Sequence, residues 1–248
     1  MYDINARIRC LSQGRLHQQR GFTLVEIAIV LIIIGLLLGG ILRGQELITS
    51  ARVRNIADQN SGIQAAYFGF IDRYRQVPGD WPQANAVQAI PGVLTGGDGS
   101  GRLDGANPWV EGLAVWEHLA KSGFIQGGYT GGAAAPNAAD TELAPRNAFQ
   151  GFMMLFRTDD YADPGTPVDQ LNLVLGRGIP VNVMRELDLK VDDGLPQSGV
   201  LRHAVPAGAT FGDNDIGHST AGCVDTTPNP DIWNIAGNEQ LCNAVYLY

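Results

Sequence analysis

The chain has 248 residues, and a hydrophobic content of 45% excludes a disordered tail and suits one medium-sized domain or two small ones. Its net charge is −8, and the first 21 residues carry four arginines against one aspartate. The 13 basic and 24 acidic residues that follow give the rest of the chain a net charge of about −11. This balance excludes a basic surface for phosphates, so no direct nucleic-acid binding is predicted.

A basic segment, residues 1–21, precedes 21 almost wholly apolar residues from Phe22 to Leu42. An α-helix rises about 1.5 Å per residue, so this run spans roughly 31 Å and matches the hydrocarbon core of a bilayer. A cleaved secretory signal would have a shorter apolar core and a small-residue cleavage site after it, and both are absent. The run is therefore predicted to be a transmembrane helix, and an uncleaved single-pass anchor satisfies the same observations.

Glu26 lies inside this apolar run, and a plain anchor does not explain it. A carboxylate at the bilayer centre costs on the order of 2.5–3.5 kcal/mol on insertion scales, and less near the end of the segment. A cut between Gly21 and Phe22 would create an α-amino group that is cationic near neutral pH. Glu26 would then lie one helical turn from the new terminus, and it is predicted to pair with the amine of an adjacent copy.

The basic segment, Gly21, the string Phe22-Thr23-Leu24-Val25-Glu26 and the apolar helix together resemble the class III signal of type IV prepilins and type II secretion pseudopilins. The resemblance covers the first fifth of the chain. It implies a structural, non-enzymatic subunit whose leader, residues 1–21, is removed by a prepilin peptidase. Gly21 would be the last leader residue, Phe22 the N-methylated residue, and Glu26 the carboxylate that sets the register of assembly.

The resemblance also implies partners and a location. The precursor would cross the bacterial inner membrane once, in contact with lipid, with its head in the periplasm. It would then join other pilin subunits in a pilus or pseudopilus, driven by an assembly ATPase and an inner-membrane platform protein. Arg43 stands where many type IV pilins carry a proline, which favours a pseudopilin or a minor or divergent pilin. The alternative is an uncleaved, membrane-tethered periplasmic domain that binds a ligand or calcium.

An amphipathic pattern continues the helix over residues 43–77, and Pro78 and Gly79 end it. Its apolar residues share one helical face: Ile56, Ile63, Tyr67, Phe70, Tyr74 and Val77. A coiled-coil seam is the alternative, but the stripe is short and rich in aromatic residues. The predicted fold is α+β, a pilin-like lollipop whose long N-terminal helix packs on a small antiparallel β-sheet in a globular head, residues 78–248.

Local signals predict the elements of the head. Residues 78–106 are predicted as loop, Asn107 and Pro108 as a helix start, and Gly123 as the end of that helix. Residues 127–141 have low complexity and are predicted as a surface loop. The apolar runs predicted as strands are 149–157, 171–175, 199–205 and 244–248, while 184–190 is either a short helix or a strand.

Three cysteines are present, and Cys10 would leave with the leader. Cys223 and Cys242 then form an even pair in a head that faces an oxidising compartment. Their position near the C-terminus resembles the disulfide-bounded loop of many pilins. A disulfide that closes the loop 223–242 is therefore predicted, and two buried free thiols are the alternative.

Asp98, Ser100 and Asp104 occur at even offsets in a glycine-rich segment, as ligands of a Ca²⁺ loop would. The EF-hand pattern fails, because Leu103 stands where glycine is required. Asp-Gly sequences also make good turns, so a turn without metal is the alternative. Similar acidic turns occur at 192–194 and 213–215, and no other cofactor is predicted.

Catalysis has little support, and no catalytic residue is predicted. His118, His203 and His218 lack the spacing of a zinc motif, and neither a nucleophile elbow nor a nucleotide-binding glycine loop occurs. These histidines are interpreted as packing or surface residues. The tryptophans are interpreted as core residues rather than a ligand-binding face: Trp81, Trp109, Trp116 and Trp233.

Overall fold

The computed structural model describes residues 22–205, 210–211, 216 and 219–248. The leader with Gly21 and Cys10, the acidic turn 213–215 and His218 lie outside these residues. The described α-helices are α1 (Leu24–Tyr74), α2 (Gln83–Ala89), α3 (Pro108–Lys121) and α4 (Val181–Val191), and two 3-10 turns lie at Ala221–Cys223 and Ile235–Gly237. The described strands are β1 (Met154–Thr158), β2 (Gln170–Val174), β3 (Leu201–His203), β4 (Val224–Asp225), β5 (Ile232–Trp233) and β6 (Ala244–Leu247). The predicted α+β class, with a long N-terminal helix and a small antiparallel sheet, is confirmed.

The chain divides into two compact units, and the boundary falls between Leu47 and Ile48. In the first unit, every described residue up to Leu42 is exposed. The most apolar window of α1 has a mean hydropathy of 2.9, and by length and composition the helix can cross a membrane. The helix continues without interruption through its glycines, which include Gly35 and Gly39.

In the second unit, α1 contributes one face to the core. Ile56, Ile63, Tyr67 and Phe70 are buried, and Tyr74 and Val77 pack against the core as partly buried residues. The predicted apolar face is therefore confirmed as a packing face of the head, not as a coiled-coil seam. The helix ends at Tyr74, earlier than the predicted end, because Arg75 takes a left-handed conformation with φ of 55°.

The main sheet has four antiparallel strands in the order β1-β2-β6-β3. The C-terminal strand β6 is therefore central, with Leu173 and Leu201 both paired to Tyr246. Strands β4 and β5 form a separate pair. The four predicted strand regions each overlap a strand of this sheet: β3 and β6 lie within their regions, whereas β1 and β2 each extend one residue beyond theirs. The ambiguous segment 184–190 belongs to helix α4.

Two elements differ from the predictions. The loop prediction for 78–106 is wrong at α2, which is a helix of seven residues. A helix of this length is too short to show a periodic pattern, and it is stabilised by the burial of Ala86 and Ile90. The hairpin of β4 and β5 has strands of two residues each, and these strands carry no alternation that could predict them. The loop prediction for 127–141 is confirmed, since this range holds neither helix nor strand.

Helix α3 has the predicted ends. Asn107 Oδ1 accepts a hydrogen bond from the Trp109 N–H at 3.1 Å, and Pro108 occupies the first turn. Gly123 follows the helix with φ of 82°, and its N–H donates to the Ala120 carbonyl at 3.0 Å. The helix is buried along most of its length, so its polar side chains Glu111 and Glu117 lie inside the head.

Candidate processing and assembly site

Thr23 and Glu26 form a reciprocal capping box at the start of α1. The N–H and the hydroxyl of Thr23 both donate to Glu26 Oε2, at 2.8 and 2.9 Å. The Glu26 N–H donates in return to Thr23 Oγ1 at 3.2 Å. The first N–H groups of a helix have no acceptor within the helix, and this arrangement supplies one. The carboxylate also lies in the first turn, where the helix dipole favours a negative charge.

The sequence interpretation gave Glu26 no role within its own chain, and the capping box supplies one. The missed signal is the spacing Thr23-x-x-Glu26, which is typical of a helix start. Only one carboxylate oxygen is engaged in this way, because Glu26 Oε1 has no hydrogen-bond donor among the residues that the structure describes. Glu26 Oε1 is therefore available to a donor from another molecule.

The apolar side chains around this cap are exposed. Every large hydrophobic residue from Phe22 to Leu42 is at least 45% accessible, and Phe22 itself is 83% accessible. A continuous apolar surface of this length requires lipid or the apolar surface of a partner. Gly21 lies outside the described residues, so the geometry covers only the Phe22 side of the predicted cleavage site.

The calcium candidates Asp98, Ser100 and Asp104 lie close together in the glycine-rich loop. The Ser100 N–H donates to Asp98 Oδ1 at 2.8 Å, and the Ser100 hydroxyl donates to Asp104 Oδ1 at 3.2 Å. Asp80, which the predictions did not include, accepts from the N–H groups of this loop, among them Gly101 at 2.8 Å. These bonds form an ordered turn without any ion, and calcium binding here stays a prediction.

Glu111 holds the same loop from the side of α3. It is 2% accessible, and its carboxylate accepts from the Gly105 N–H at 2.9 Å and from the Asp98 N–H at 3.4 Å. Burial raises the pKa of Glu111, and the two backbone donors oppose that shift. A cavity of about 280 Å³ lies beside this carboxylate, lined in part by Gly97 and Asn107.

The described histidines have packing roles, as interpreted from the sequence. His118 is fully buried, accepts from the Gly79 N–H at Nδ1 and lies 3.0 Å from the Thr95 carbonyl at Nε2. His203 is also buried, and its ring meets Trp233 edge-on. Of the tryptophans, Trp116 and Trp233 are buried, and the other two pack against the core. The tryptophans therefore do not form a ligand-binding face.

Cys223 and Cys242 are joined by a disulfide, with their Cα atoms 5.7 Å apart. The bond closes a loop that contains the β4–β5 hairpin and attaches it next to the central strand β6. Cys242 also pairs with Ile179 through a backbone bridge. The disulfide therefore holds the hairpin against the sheet at a point close to the start of α4.

Comparison with known families decides what the N-terminal segment is. A family profile described as the prokaryotic N-terminal methylation motif matches residues 16–42. The chain carries the class III signal of type IV prepilins and pseudopilins. A search of the curated proteins found no match, and a search of the solved structures found none either.

The prepilin-type signal spans Gly21, Phe22 and Glu26 and ends before the head begins. It implies processing by a prepilin peptidase and assembly with other pilin subunits. The apolar part of α1 fits the membrane anchor of such a precursor. The N-terminal segment therefore supports a pilin-like precursor, and the resemblance to that class rests on this motif alone.

Proposed function

We propose that the protein is a structural, non-enzymatic subunit of a type IV pilus or a type II secretion pseudopilus. The observation that carries this proposal is the methylation motif at residues 16–42, which lies directly on an exposed apolar helix of membrane length. Arg43, in place of the proline of many type IV pilins, favours a pseudopilin or a minor or divergent pilin.

Processing supplies the charge that assembly uses. The apolar part of α1 holds the precursor in the inner membrane with residues 1–21 in the cytoplasm. The peptidase hydrolyses the peptide bond between Gly21 and Phe22 and methylates the new amine. That secondary amine is cationic near neutral pH and lies at the positive end of the α1 dipole.

Glu26 of an incoming subunit then meets the Phe22 amine of a subunit that is already assembled. Its Oε2 remains in the capping box with Thr23, and its Oε1 accepts from the amine. Pairing removes two unlike charges from an apolar surrounding at once, whereas either charge alone would be costly there. The exposed apolar side chains of α1 exchange lipid for the helices of neighbouring subunits.

The proposed partners are the prepilin peptidase, other pilin subunits, the inner-membrane platform protein and the assembly ATPase. The head, residues 78–248, lies in the periplasm before assembly. An oxidising periplasm supports the Cys223–Cys242 disulfide. The head then forms the outer surface of the filament, which reaches the cell surface if the filament is a pilus.

Mass spectrometry of the N-terminus in native membranes tests the proposal. A mature chain that begins at methylated Phe22 is expected, together with the same chain in sheared filaments. A chain that keeps residues 1–21 in membranes with an active prepilin peptidase would contradict the proposal. That result would favour an uncleaved, membrane-tethered periplasmic domain instead.

A further inference from the structure

A cavity in the head has a cationic lining that the filament role does not use. Its volume is about 250 Å³, and its lining includes two arginines and no acidic residue. The residues that give it this chemistry are Arg146, Phe149, Gln150, Phe152 and Arg177. Pockets for small organic ligands usually have about 300–1,000 Å³. This cavity therefore suits one compact group of a ligand, not a nucleotide or a large cofactor.

Arg177 presents a guanidinium that the fold leaves free. The residue is half-buried and follows strand β2, which ends at Val174. Its guanidinium forms neither a hydrogen bond nor an ion pair within the described part of the chain, and its Nε is buried without an acceptor. A guanidinium carries five donors in a planar fork, which matches two oxygens of a phosphate or a carboxylate. Arg177 can therefore bind an oxyanion through two hydrogen bonds.

The backbone of Arg177 is held directly against the turn that forms the other side of the cavity. A Cβ at Gly151 would lie 2.1 Å from the Arg177 carbonyl oxygen, so this approach requires glycine. Asn147, which is 2% accessible, donates from Nδ2 to the Gly176 carbonyl at 3.0 Å. Its Oδ1 accepts from the N–H groups of Phe149 and Gly151, at 2.7 and 3.1 Å. The two sides of the cavity are therefore joined before a ligand binds.

Arg146 is fixed on that turn with its charge uncompensated. Its terminal nitrogens donate to the carbonyls of Gln150 and Ala138, at 3.2 and 2.9 Å. Its Cζ lies 4.0 Å from the centre of the Phe152 ring, in a cation–π contact. Its Nε is buried without an acceptor, and no carboxylate in the described ranges forms an ion pair with it. Arg146 therefore contributes a full positive charge to the cavity lining.

Gln150 has a backbone conformation that is unusual for its residue type. Its φ is 71°, in the left-handed region that favours glycine, and its N–H donates to the Asn147 carbonyl at 3.0 Å. Its own carbonyl is one of the two acceptors of Arg146. Residues in such conformations are concentrated at functional sites, where the surrounding structure holds them. In this turn, the conformation places an acceptor that orients Arg146.

A third arginine lies beside the cavity. Arg52 on α1 has its Cζ 5.0 Å from the centre of the Phe149 ring, and Phe149 lines the cavity. Arg52 is exposed and forms no ion pair with the residues that the structure describes. Elsewhere in the head, Arg157 pairs with Asp169 at 3.4 Å. The arginines at this cavity have no such partner, although acidic residues outnumber basic ones in the chain.

The charge of the chain limits the kind of anion that can bind. Residues 22–248 carry a net charge of about −11, which disfavours an extended polyanion such as a nucleic acid. Exposed charges farther than about 8 Å from the cavity are screened at physiological ionic strength. At the cavity itself, the lining supplies two positive charges and no negative one. A compact anion is therefore favoured, whereas a long one is not.

We propose that this cavity binds the phosphate group of a phosphate monoester. The Arg177 fork donates to two phosphate oxygens, and Arg146 supplies the second positive charge. A phosphate monoester carries about −1.5 to −2 charges at pH 7, so it matches two cations better than a single carboxylate does. The group comes either from a soluble phosphomonoester or from the headgroup of a lipid such as phosphatidate. This binding goes beyond the filament role and does not depend on it.

Calorimetric titration of the full-length protein in detergent with glycerol phosphate tests the site. Wild-type protein should bind this probe, and added salt should weaken the binding. Arg177→Gln, which removes the free fork, should weaken the affinity at least tenfold. Arg177→Lys keeps the charge and loses the fork, so a several-fold loss is expected. The control Arg185→Gln removes an exposed arginine of α4 outside the cavity and should change the affinity less than twofold.

The same protein in lipid nanodiscs distinguishes the two sources of the phosphate group. If the lipid is the source, phosphatidate in the disc should weaken the binding of glycerol phosphate. Phosphatidylglycerol, which is a phosphodiester, should not weaken it. An affinity that is equal in phosphatidate and phosphatidylcholine discs would identify a soluble phosphomonoester as the source.

Three results would overturn the proposal. The first is no binding of glycerol phosphate at millimolar concentration in phosphatidylcholine discs. The second is an Arg177→Gln variant that binds glycerol phosphate with wild-type affinity. The third is tighter binding of succinate than of glycerol phosphate, because the site would then select carboxylates.

Discussion

Glu26 has two roles in this account, as a helix cap and as a charged partner, and two substitutions separate them. Thr23→Val removes the hydroxyl that takes part in two of the three capping hydrogen bonds and keeps the carboxylate. Glu26→Gln keeps a side chain that serves equally well at this position of a capping box, and it removes the charge. Thr23→Val therefore keeps the charge and weakens the cap, whereas Glu26→Gln keeps the cap and removes the charge.

The magnitudes of the two losses differ enough to be measured. Loss of an N-cap side chain costs about 1 kcal/mol, which corresponds to roughly a fivefold change in an equilibrium. Loss of the charge leaves the Phe22 amine unpaired in an apolar surrounding. A charge at the bilayer centre costs on the order of 2.5–3.5 kcal/mol, and less near the end of the segment where Phe22 lies, so roughly 100-fold is an upper bound for this loss. We therefore expect Thr23→Val to reduce filament incorporation at most several-fold and Glu26→Gln to reduce it more strongly, by up to about two orders of magnitude.

The assay compares subunit in sheared filaments with mature subunit in membranes, in cells whose native copy is deleted. Mass spectrometry must first show that both variants are cleaved between Gly21 and Phe22, because assembly is informative only for processed chains. Membrane insertion should be unchanged, since the apolar run is intact. Normal incorporation of Glu26→Gln would refute the pairing. Failure of Thr23→Val alone would show that Glu26 acts only as a cap.

Three further predictions concern the head, and each is measured on the full-length protein in detergent. Glu117→Ala removes a fully buried carboxylate that accepts four hydrogen bonds, so denaturant titration should show a loss of about 3–5 kcal/mol of unfolding free energy. The control variant Asp72→Ala removes an ion pair at an 80% accessible side chain and should change the unfolding free energy by less than about 0.5 kcal/mol. Similar losses in both variants would contradict this reasoning. Burial lowers the pKa of His203 to about 4, against an ordinary value of about 6.5. The folded protein favours the neutral imidazole, so this contribution to the unfolding free energy is complete above pH 6.5 and is lost as pH falls toward 4. The loss should reach up to about 3 kcal/mol, and His203→Leu should remove this pH dependence. Reduction of the Cys223–Cys242 disulfide should lower the unfolding free energy by about 3 kcal/mol, and a double serine variant should melt at the same temperature with and without reductant.

The features that the sequence predicts well are those with local signals. The membrane-length helix follows from a continuous apolar run, and the ends of α3 follow from Asn107, Pro108 and Gly123. The buried face of α1 follows from helical spacing of its apolar residues. In each case the residues that determine the element lie within a few turns of one another, so a reading along the chain contains the information.

The order of the strands depends on contacts that are distant in sequence. Strand β6, the last in the chain, pairs with β2 and β3, and the hydroxyl of Tyr248 reaches Asn60 on α1 at 2.8 Å. No local pattern specifies such pairings. The hydrogen bond from Trp233 on β5 to Asp188 on α4 could not be predicted for the same reason, because only the fold brings these two residues together.

The buried carboxylates of the head differ from Glu26 in their hydrogen-bond donors. Asp80, Glu111 and Glu117 are buried, and backbone N–H groups donate to each of them, so the head accounts for their charge. In the apolar run, Glu26 accepts through Oε2 alone and keeps Oε1 without a donor in the described residues. Because an unpaired carboxylate oxygen in an apolar surrounding is costly, we propose that Glu26 takes a cationic partner from another molecule once lipid or neighbouring helices cover the apolar run. In the proposed assembly that partner is the terminal amine of an adjacent subunit.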